Sequence, residues 1–458
     1  MPFADDPDRA LSLAWYAQRK PVYTGGNQAR LLRGGQAMFP ALVQAIEGSK
    51  QGIWLASYMV LPEGMPQLVL AALGKAAQRG VAVHMVVDGV GSHETPPEVW
   101  QHLRDQGVQL RIYRPVRDWW RLVTSTRDWR RMHLKLCVID HEQAFVGGIN
   151  LIDDLFDHVH GWQTQPRLDY AVQFTGPATL PVLHTTRALW TRANLGRDWR
   201  DDMIDWIKVP GRLARLKELV QQARLKLSPG EQSLLVEHAH ARTPMRAAFV
   251  MRDNLRQRRT IEKATLQAID QARYRIDILC PYFYPGRVFR RALCKAAASG
   301  VKVRLLLQGK PDYALAALAA RVLYAELQRH GVRIFEYQPA FLHAKVMCVD
   351  EEWCSVGSSN LDPISLKMNL EGNLLIKDRP FALSLSKALQ EDFAHSVEIV
   401  GAQARPSAWW ARPARGLISW VARTYLRLGR RSPTHEPPRT PAPPAPPPPP
   451  SSTKDAQA

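Results

Sequence analysis

The sequence predicts an α/β protein built from two similar halves. Three observations predict it. The string His133-x-Lys135-x4-Asp140-x6-Gly147-Gly148-x-Asn150 recurs as His343-x-Lys345-x4-Asp350-x6-Gly357-Ser358-x-Asn360. Short apolar runs of strand character alternate with helical patterns in both halves. Corresponding helices end at Gly80 and at Gly300, where a helix C-terminus needs a left-handed residue.

The elements follow in matching order. After an N-terminal segment at 1–24, the first half (25–177) has Ala45-Ile46-Glu47 at a helix end and an apolar strand in 53–60. A helix at 68–79, a strand at 81–87, a helix ending near Gly107 and a strand at 109–113 follow. The motif then reads as a strand at 134–139, a polar turn at 140–143 and a strand at 144–149. The second half (259–400) repeats this with Ala268-Ile269-Asp270, then 276–283, 288–299, 301–307, a helix ending near Gly331, and 332–337. Its motif reads as a strand at 344–349, a turn at 350–352 and a strand at 353–357. The alternation predicts a mostly parallel sheet in each half. Between the halves, 178–258 reads as a mostly helical connector rich in Arg and Trp.

At 458 residues, 46% hydrophobic and 22% charged, the chain is long enough for several buried cores. Its 61 Lys and Arg exceed 42 acidic residues by 19, which points to a polyanionic partner, nucleic acid or an anionic bilayer. Cys137, Cys280, Cys294, Cys348 and Cys354 are odd in number and show no CxxC spacing, so neither a disulfide framework nor a zinc site is expected. Asp5, Asp6 and Asp8 stand where a secretory signal carries basic residues, so export is not expected. No apolar stretch reaches the roughly 18 residues of a spanning helix.

Side chains at i and i+2 of a strand share a face, so His133 is displayed with Lys135 and His343 with Lys345. Two such sets suit a double displacement at a phosphodiester: one imidazole attacks while the other protonates the leaving oxygen. Asp140 and Asp350 complete the catalytic motifs, but each lies at the opposite parity and begins a polar turn, which reads as a structural part. The glycines before Asn150 and Asn360 let backbone approach closely and bring both amides toward the site. Each histidine needs a carboxylate on its far nitrogen, and Asp169 and Glu371 follow the two motifs at similar distances.

This pattern resembles the phospholipase D superfamily over most of 25–398. The resemblance implies two phospholipase D-like α/β/α domains related by a pseudo-twofold axis, with one active site at their interface. It implies His133 as nucleophile and His343 as general acid and then base. Lys135, Lys345, Asn150 and Asn360 would bind the substrate phosphate, with Asp169 and Glu371 orienting the histidines. No metal and no cofactor is expected. Asp88-Gly89-Val90-Gly91-Ser92, Arg131-Met132-His133 and Asn360-Leu361-Asp362-Pro363 resemble bacterial cardiolipin synthases more narrowly, of the B type. Those enzymes move a phosphatidyl group to phosphatidylglycerol. Gly148 stands where Ser is commoner, as in that subgroup.

Two segments suit an anionic bilayer. Residues 114–131 hold six Arg with Trp119, Trp120 and Trp129. Residues 401–431 read as a basic amphipathic interfacial helix carrying Trp409, Trp410 and Trp420, and 432–458 as a Pro-rich disordered tail. The expected place is peripheral, on the cytoplasmic face of a bacterial inner membrane, with phosphatidylglycerol and in some reactions phosphatidylethanolamine as substrates. A hydrolytic phospholipase D is the alternative, a nuclease of the same superfamily a weaker one, and no nucleic acid partner is expected.

Overall fold

The structure is a computed structural model, and it describes residues 18–115, 130–157, 160–195, 245–310 and 314–400. The first half runs β1 (Gln28–Arg33), α1 (Gly34–Glu47), β2 (Gly52–Ser57), α2 (Met65–Gln78), β3 (Ala82–Asp88), α3 (Pro97–Asp105), β4 (Gln109–Tyr113), β5 (Leu136–Ile139) and β6 (Gln143–Gly147). A small hairpin, β7 (Phe156–Asp157) and β8 (Gly161–Trp162), precedes β9 (Tyr170–Thr175) and α4 (Thr179–Leu195). The second half has β10 (Arg246–Arg252), α5 (Thr260–Gln271), β11 (Arg275–Leu279), α6 (Arg287–Ala298), β12 (Lys302–Gln308), α7 (Ala314–Gln328) and β13 (Arg333–Tyr337). It closes with β14 (Val346–Val349), β15 (Trp353–Gly357), α8 (Pro363–Lys367), β16 (Glu371–Lys377), α9 (Arg379–Ala394) and β17 (Ser396–Glu398).

The sheet orders state the duplication. One is β1-β9-β6-β5-β2-β3-β4 and the other β10-β16-β15-β14-β11-β12-β13-β17, identical in plan apart from the added edge strand β17. Helix α2 begins earlier than its apolar pattern does, because Pro66 is accommodated in its first turn. Gly80 and Gly300 follow α2 and α6 with φ of 90° and 92°, the left-handed stop anticipated for both.

The sheets are mixed, which corrects the expectation of mostly parallel ones. Only β2–β3–β4 and β11–β12–β13 pair in parallel. The motif strands are tight hairpins, β5 with β6 and β14 with β15, antiparallel by construction, and β5 and β14 also lie antiparallel to β2 and β11. Each hairpin turns through two residues at positive φ, Asp140-His141 and Asp350-Glu351.

Packing divides into three cores. One outer core joins β2, β3, α1 and α2; another joins β11, β12, α5 and α6. Between them lies a shared core holding Leu136, Val138 and Val146 of the first half with Val346, Val356 and Leu374 of the second. Along β5 the side chains alternate, Leu136 and Val138 inward to the shared core, Cys137 and Ile139 outward. Both faces of the motif strands are buried, so their positions are fixed by packing from either side.

Of the stretch assigned to a connector, the described parts are α4, packed on the first sheet, and β10, the edge strand of the second. The interfacial helix expected at 401–431, the tail at 432–458, the N-terminal residues to 17 and most of 114–131 lie outside the described residues.

Candidate active site

The histidine segments do not begin as strands of their own sheets. The pattern assigns a strand to 134–139, yet the regular strand starts at Leu136. Upstream, the backbone bonds to the other half: His133 N donates to Leu370 O at 3.0 Å and Leu370 N to Arg131 O at 2.9 Å. The twin contact is Leu168 N to Phe341 O at 2.9 Å and His343 N to Leu168 O at 2.8 Å. Each histidine is therefore laid beside the residue that precedes the opposite half's carboxylate.

The side chains pair across the same seam. His133 Nδ1 lies 3.0 Å from Glu371 Oε2, and His343 Nδ1 lies 2.6 Å from Asp169 Oδ2. With Nδ1 held by a carboxylate, each ring carries Nε2 on the side away from that carboxylate. Both carboxylates are buried, Asp169 at 1% and Glu371 at 0% exposure. His133, Lys135, Lys345, Asn150 and Asn360 are buried too. The rings share one electrostatic neighbourhood, since charge on His133 and on Lys135 lowers the basicity of His343.

Lys135 Nζ donates to His133 O at 2.9 Å, and Lys345 Nζ donates to His343 O. Each lysine is tied to the backbone of its own histidine, so the two travel as a unit. Asn150 Oδ1 is buried without a partner, while Asn360 Oδ1 faces Cys280 Sγ at 4.0 Å. An unpartnered buried amide oxygen is costly, and a bound hydroxyl would satisfy it.

Asp140 and Asp350, the last residues of the two motifs, spend their carboxylates on backbone amides. Asp140 accepts from the amides of Lys50, Gln51 and Gly52 at 2.8, 2.7 and 2.9 Å. Asp350 accepts from Arg273, Tyr274 and Arg275 at 2.7, 2.8 and 2.7 Å. Each carboxylate ties the motif hairpin to the start of the neighbouring strand.

Burial dominates the electrostatics. It pushes Asp169 up to about 7 against the pull of Lys345, and Glu371 up to about 7 against Lys135 and the Ser358 hydroxyl. His343 is held well below its usual range by burial and by Lys345, Arg167 and Lys135. Burial also brings Lys345 down to about 8, with Asp169 opposing. Lys135, Lys345 and Arg167 together set a cationic field at His343.

Several contacts escaped the sequence reading. Tyr58, directly after β2, packs its ring edge-on to His133 at 4.9 Å and lies 5.2 Å from Lys135 Nζ. The signal was a phenol at the end of an otherwise apolar run. Arg131 Nε donates to Asp88 Oδ1 at 2.9 Å, and Asp88 Oδ2 accepts from Met132 N, which pins the chain entering His133. Ser358 Oγ donates to Glu371 Oε2 at 2.6 Å. Its counterpart Gly148 has no such side chain, and a Cβ there would stand 2.3 Å from Asp169 Oδ1, so serine does not fit beside the shorter carboxylate as the site is built. The spacing differs as well: Asp169 lies 19 residues after Asn150, Glu371 only 11 after Asn360, because the β7–β8 hairpin is inserted in the first half alone. Among the described residues no group of three or more His, Cys, Asp or Glu is placed to hold a metal ion.

Residues 42–160 and 265–395 match the family model described as cardiolipin synthase, phospholipase D-like domain. The chain is 35% identical over 413 residues to cardiolipin synthase B of Salmonella typhi, covering 90% of this chain and 92% of that one. It is 33% identical over 424 residues to cardiolipin synthase B of Escherichia coli K12, covering 90% and 94%. Among solved structures, phosphatidylserine synthase of Haemophilus influenzae Rd KW20 shares the fold, with a TM-score of 0.57 at 12% identity over 92% of this chain and 98% of that one.

Proposed function

Because the chain belongs to the family of cardiolipin synthases with phospholipase D-like domains, we infer that it is a phosphatidyltransferase of that kind. The observation that carries the mechanism is the crossed pairing of His133 with Glu371 and of His343 with Asp169. In the proposed reaction, Nε2 of His133 attacks the phosphorus of a phospholipid and the P–O bond to the head-group alcohol breaks. His343 gives that alcohol its proton. A second alcohol then loses its proton to His343 and attacks phosphorus, the N–P bond breaks, and His133 is restored.

Lys135 and Lys345 supply the field for the charge that builds on the non-bridging oxygens, with Asn150 and Asn360 beside them. Burial, with the charge of those lysines added to it, holds His343 well below its usual range. A bound phosphodiester cancels part of their field, so binding itself favours the protonated ring that an acid requires. Phosphatidylglycerol is the proposed acceptor, and phosphatidylglycerol or phosphatidylethanolamine the donor. The enzyme is proposed to work peripherally at the bacterial inner membrane, at its cytoplasmic face; the Arg- and Trp-rich stretches of the sequence support an anionic surface as partner.

Purified protein incubated with phosphatidylglycerol vesicles, its lipids followed by mass spectrometry, tests this. Cardiolipin is the expected product; phosphatidic acid alone would mean hydrolysis, and inertness toward lipid with cleavage of DNA would overturn the lipid reading. Trapping the covalent adduct and mapping it to a peptide identifies the attacking ring.

A further inference from the structure

Four large apolar side chains stand exposed at the end of the molecule where the histidines open. Strand β2 points this way, since Tyr58 follows it and packs on His133. Strand β11 does too, since Cys280 follows it and meets Asn360. The next segments carry Leu68 in the first turn of α2, 58% exposed, and Val288 in the first turn of α6, 59% exposed. These two are equivalent under the duplication, each 12 residues before the glycine that ends its helix, Gly80 or Gly300. Leu255 follows β10, whose Arg252 lies opposite Glu371. Trp162 belongs to the hairpin whose His160 stacks on Phe341, two residues before His343.

Scattered exposed apolar residues are ordinary. A repeated pair flanking one catalytic mouth is a different matter, because both positions are more than half exposed although the two halves otherwise bury most of their apolar residues. Arg256, Arg258, Arg259 and Arg287 are exposed at this end with Glu63, Glu94 and Glu98 among them, and the first turns of α2 and α6, which carry the repeated pair, contain no acidic residue. A lipid whose acyl chains stay in the bilayer reaches buried histidines only if the mouth sits at headgroup level.

We infer that this end is the face that docks on an anionic phospholipid bilayer, with Leu68 and Val288 entering the headgroup layer on either side of the site and Leu255 and Trp162 beside them. The inference deepens the phosphatidyltransferase reading and rests on it. Docking in this pose presents both histidines to lipids without lifting a whole molecule out of the membrane.

Single cysteines carrying an environment-sensitive fluorophore test the pose, because all five native cysteines are buried. Leu68→Cys and Val288→Cys are expected to shift to the blue on vesicles of phosphatidylglycerol and phosphatidylcholine. Tyr274→Cys, 71% exposed at the opposite end beside the Asp350 cap, is expected not to shift. The double variant Leu68→Asp/Val288→Asp is expected to bind those vesicles at least about tenfold more weakly while turning over detergent-dispersed phosphatidylglycerol within about twofold of the parent. Silent probes at 68 and 288, an equal shift at 274, or undiminished vesicle binding by the double variant would overturn the docking face. So would a blue shift without lipid that rises with protein concentration, the mark of a second copy on this surface. Shifts in the labelled variants beside a parent that makes no cardiolipin in detergent would refute the activity and leave the face standing.

Discussion

Nδ1 of His133 meets Oε2 of Glu371 at 3.0 Å although the two residues belong to different halves and lie 238 positions apart. His343 meets Asp169 in the same crossed sense. A single chain thus holds two histidine–carboxylate pairs, neither of which is contained in one repeat.

Removing the charge from one carboxylate should disturb the ring in the opposite half. Glu371→Gln and Asp169→Asn are each expected to lower kcat by about two to four orders of magnitude, as loss of an orienting carboxylate does elsewhere. Nitrogen chemical shifts of labelled histidine give the decisive readout: Glu371→Gln should move the signals of His133 more than those of His343, and the reverse pattern would contradict the crossing.

Both imidazoles are needed for a two-step transfer. His133→Ala and His343→Ala are each expected to reduce turnover by at least about three orders of magnitude, while chelation of divalent ions leaves it unchanged. Turnover after chelation and after add-back of a divalent ion checks the second half of that statement.

Lys345, brought down to about 8 by burial, loses its proton just above neutrality. Its ammonium is present below that value and absent above it, so kcat/KM for the free enzyme should fall on an alkaline limb near pH 8. Lys345→Arg keeps the charge at higher pH and should displace that limb upward even where the absolute rate is lower.

Glu371 titrates at 4.5 in an unfolded chain and at about 7 in the folded one. Between those values the folded state binds the extra proton, so its stability falls as pH rises from about 4.5 to about 7, and the loss persists above. Glu371→Gln abolishes that dependence. The melting temperature of the variant relative to the parent should therefore improve from pH 5 to pH 8, by an amount corresponding to at most about 3 kcal/mol.

Asp140 and Asp350 should behave as structural caps. Asp140→Ala removes an acceptor shared by three amides and is expected to lower stability by about 1–3 kcal/mol with kcat of the folded enzyme nearly unchanged. Asp140→Asn, which keeps an acceptor and tolerates the positive φ of 50°, should be milder. Denaturant titration beside single-point rates separates the two effects.

Much of this site was legible because the duplicated string fixes residue type and spacing together. His133 with Lys135 and His343 with Lys345 emerged from strand parity and repetition, and the candidates Asp169 and Glu371 from their similar distances after the motifs and from the family resemblance. The partners across the seam did not, since nothing local to Glu371 says which imidazole it will meet; that depends on how two sheets share a core. The hairpin geometry was misjudged for a related reason: alternating strands and helices suggest parallel pairing, but the three-residue turn at 140–142 sends the next strand back. Tyr58 was passed over because a phenol beside an apolar run looks like an ordinary edge residue until the histidine appears against it, and Asp88 and Arg131 stood out as strings without any sign that they pair with each other.

The seam also bears on ancestry. A protein carrying only one such repeat would hold a histidine without its carboxylate and a carboxylate without its histidine, and it would be inert alone. Two copies meeting about a true twofold axis would complete both pairs at once. Fusion of the genes would then free each copy to drift, and the chain already records that freedom in Gly148 facing Ser358 and in a hairpin that only one copy acquired.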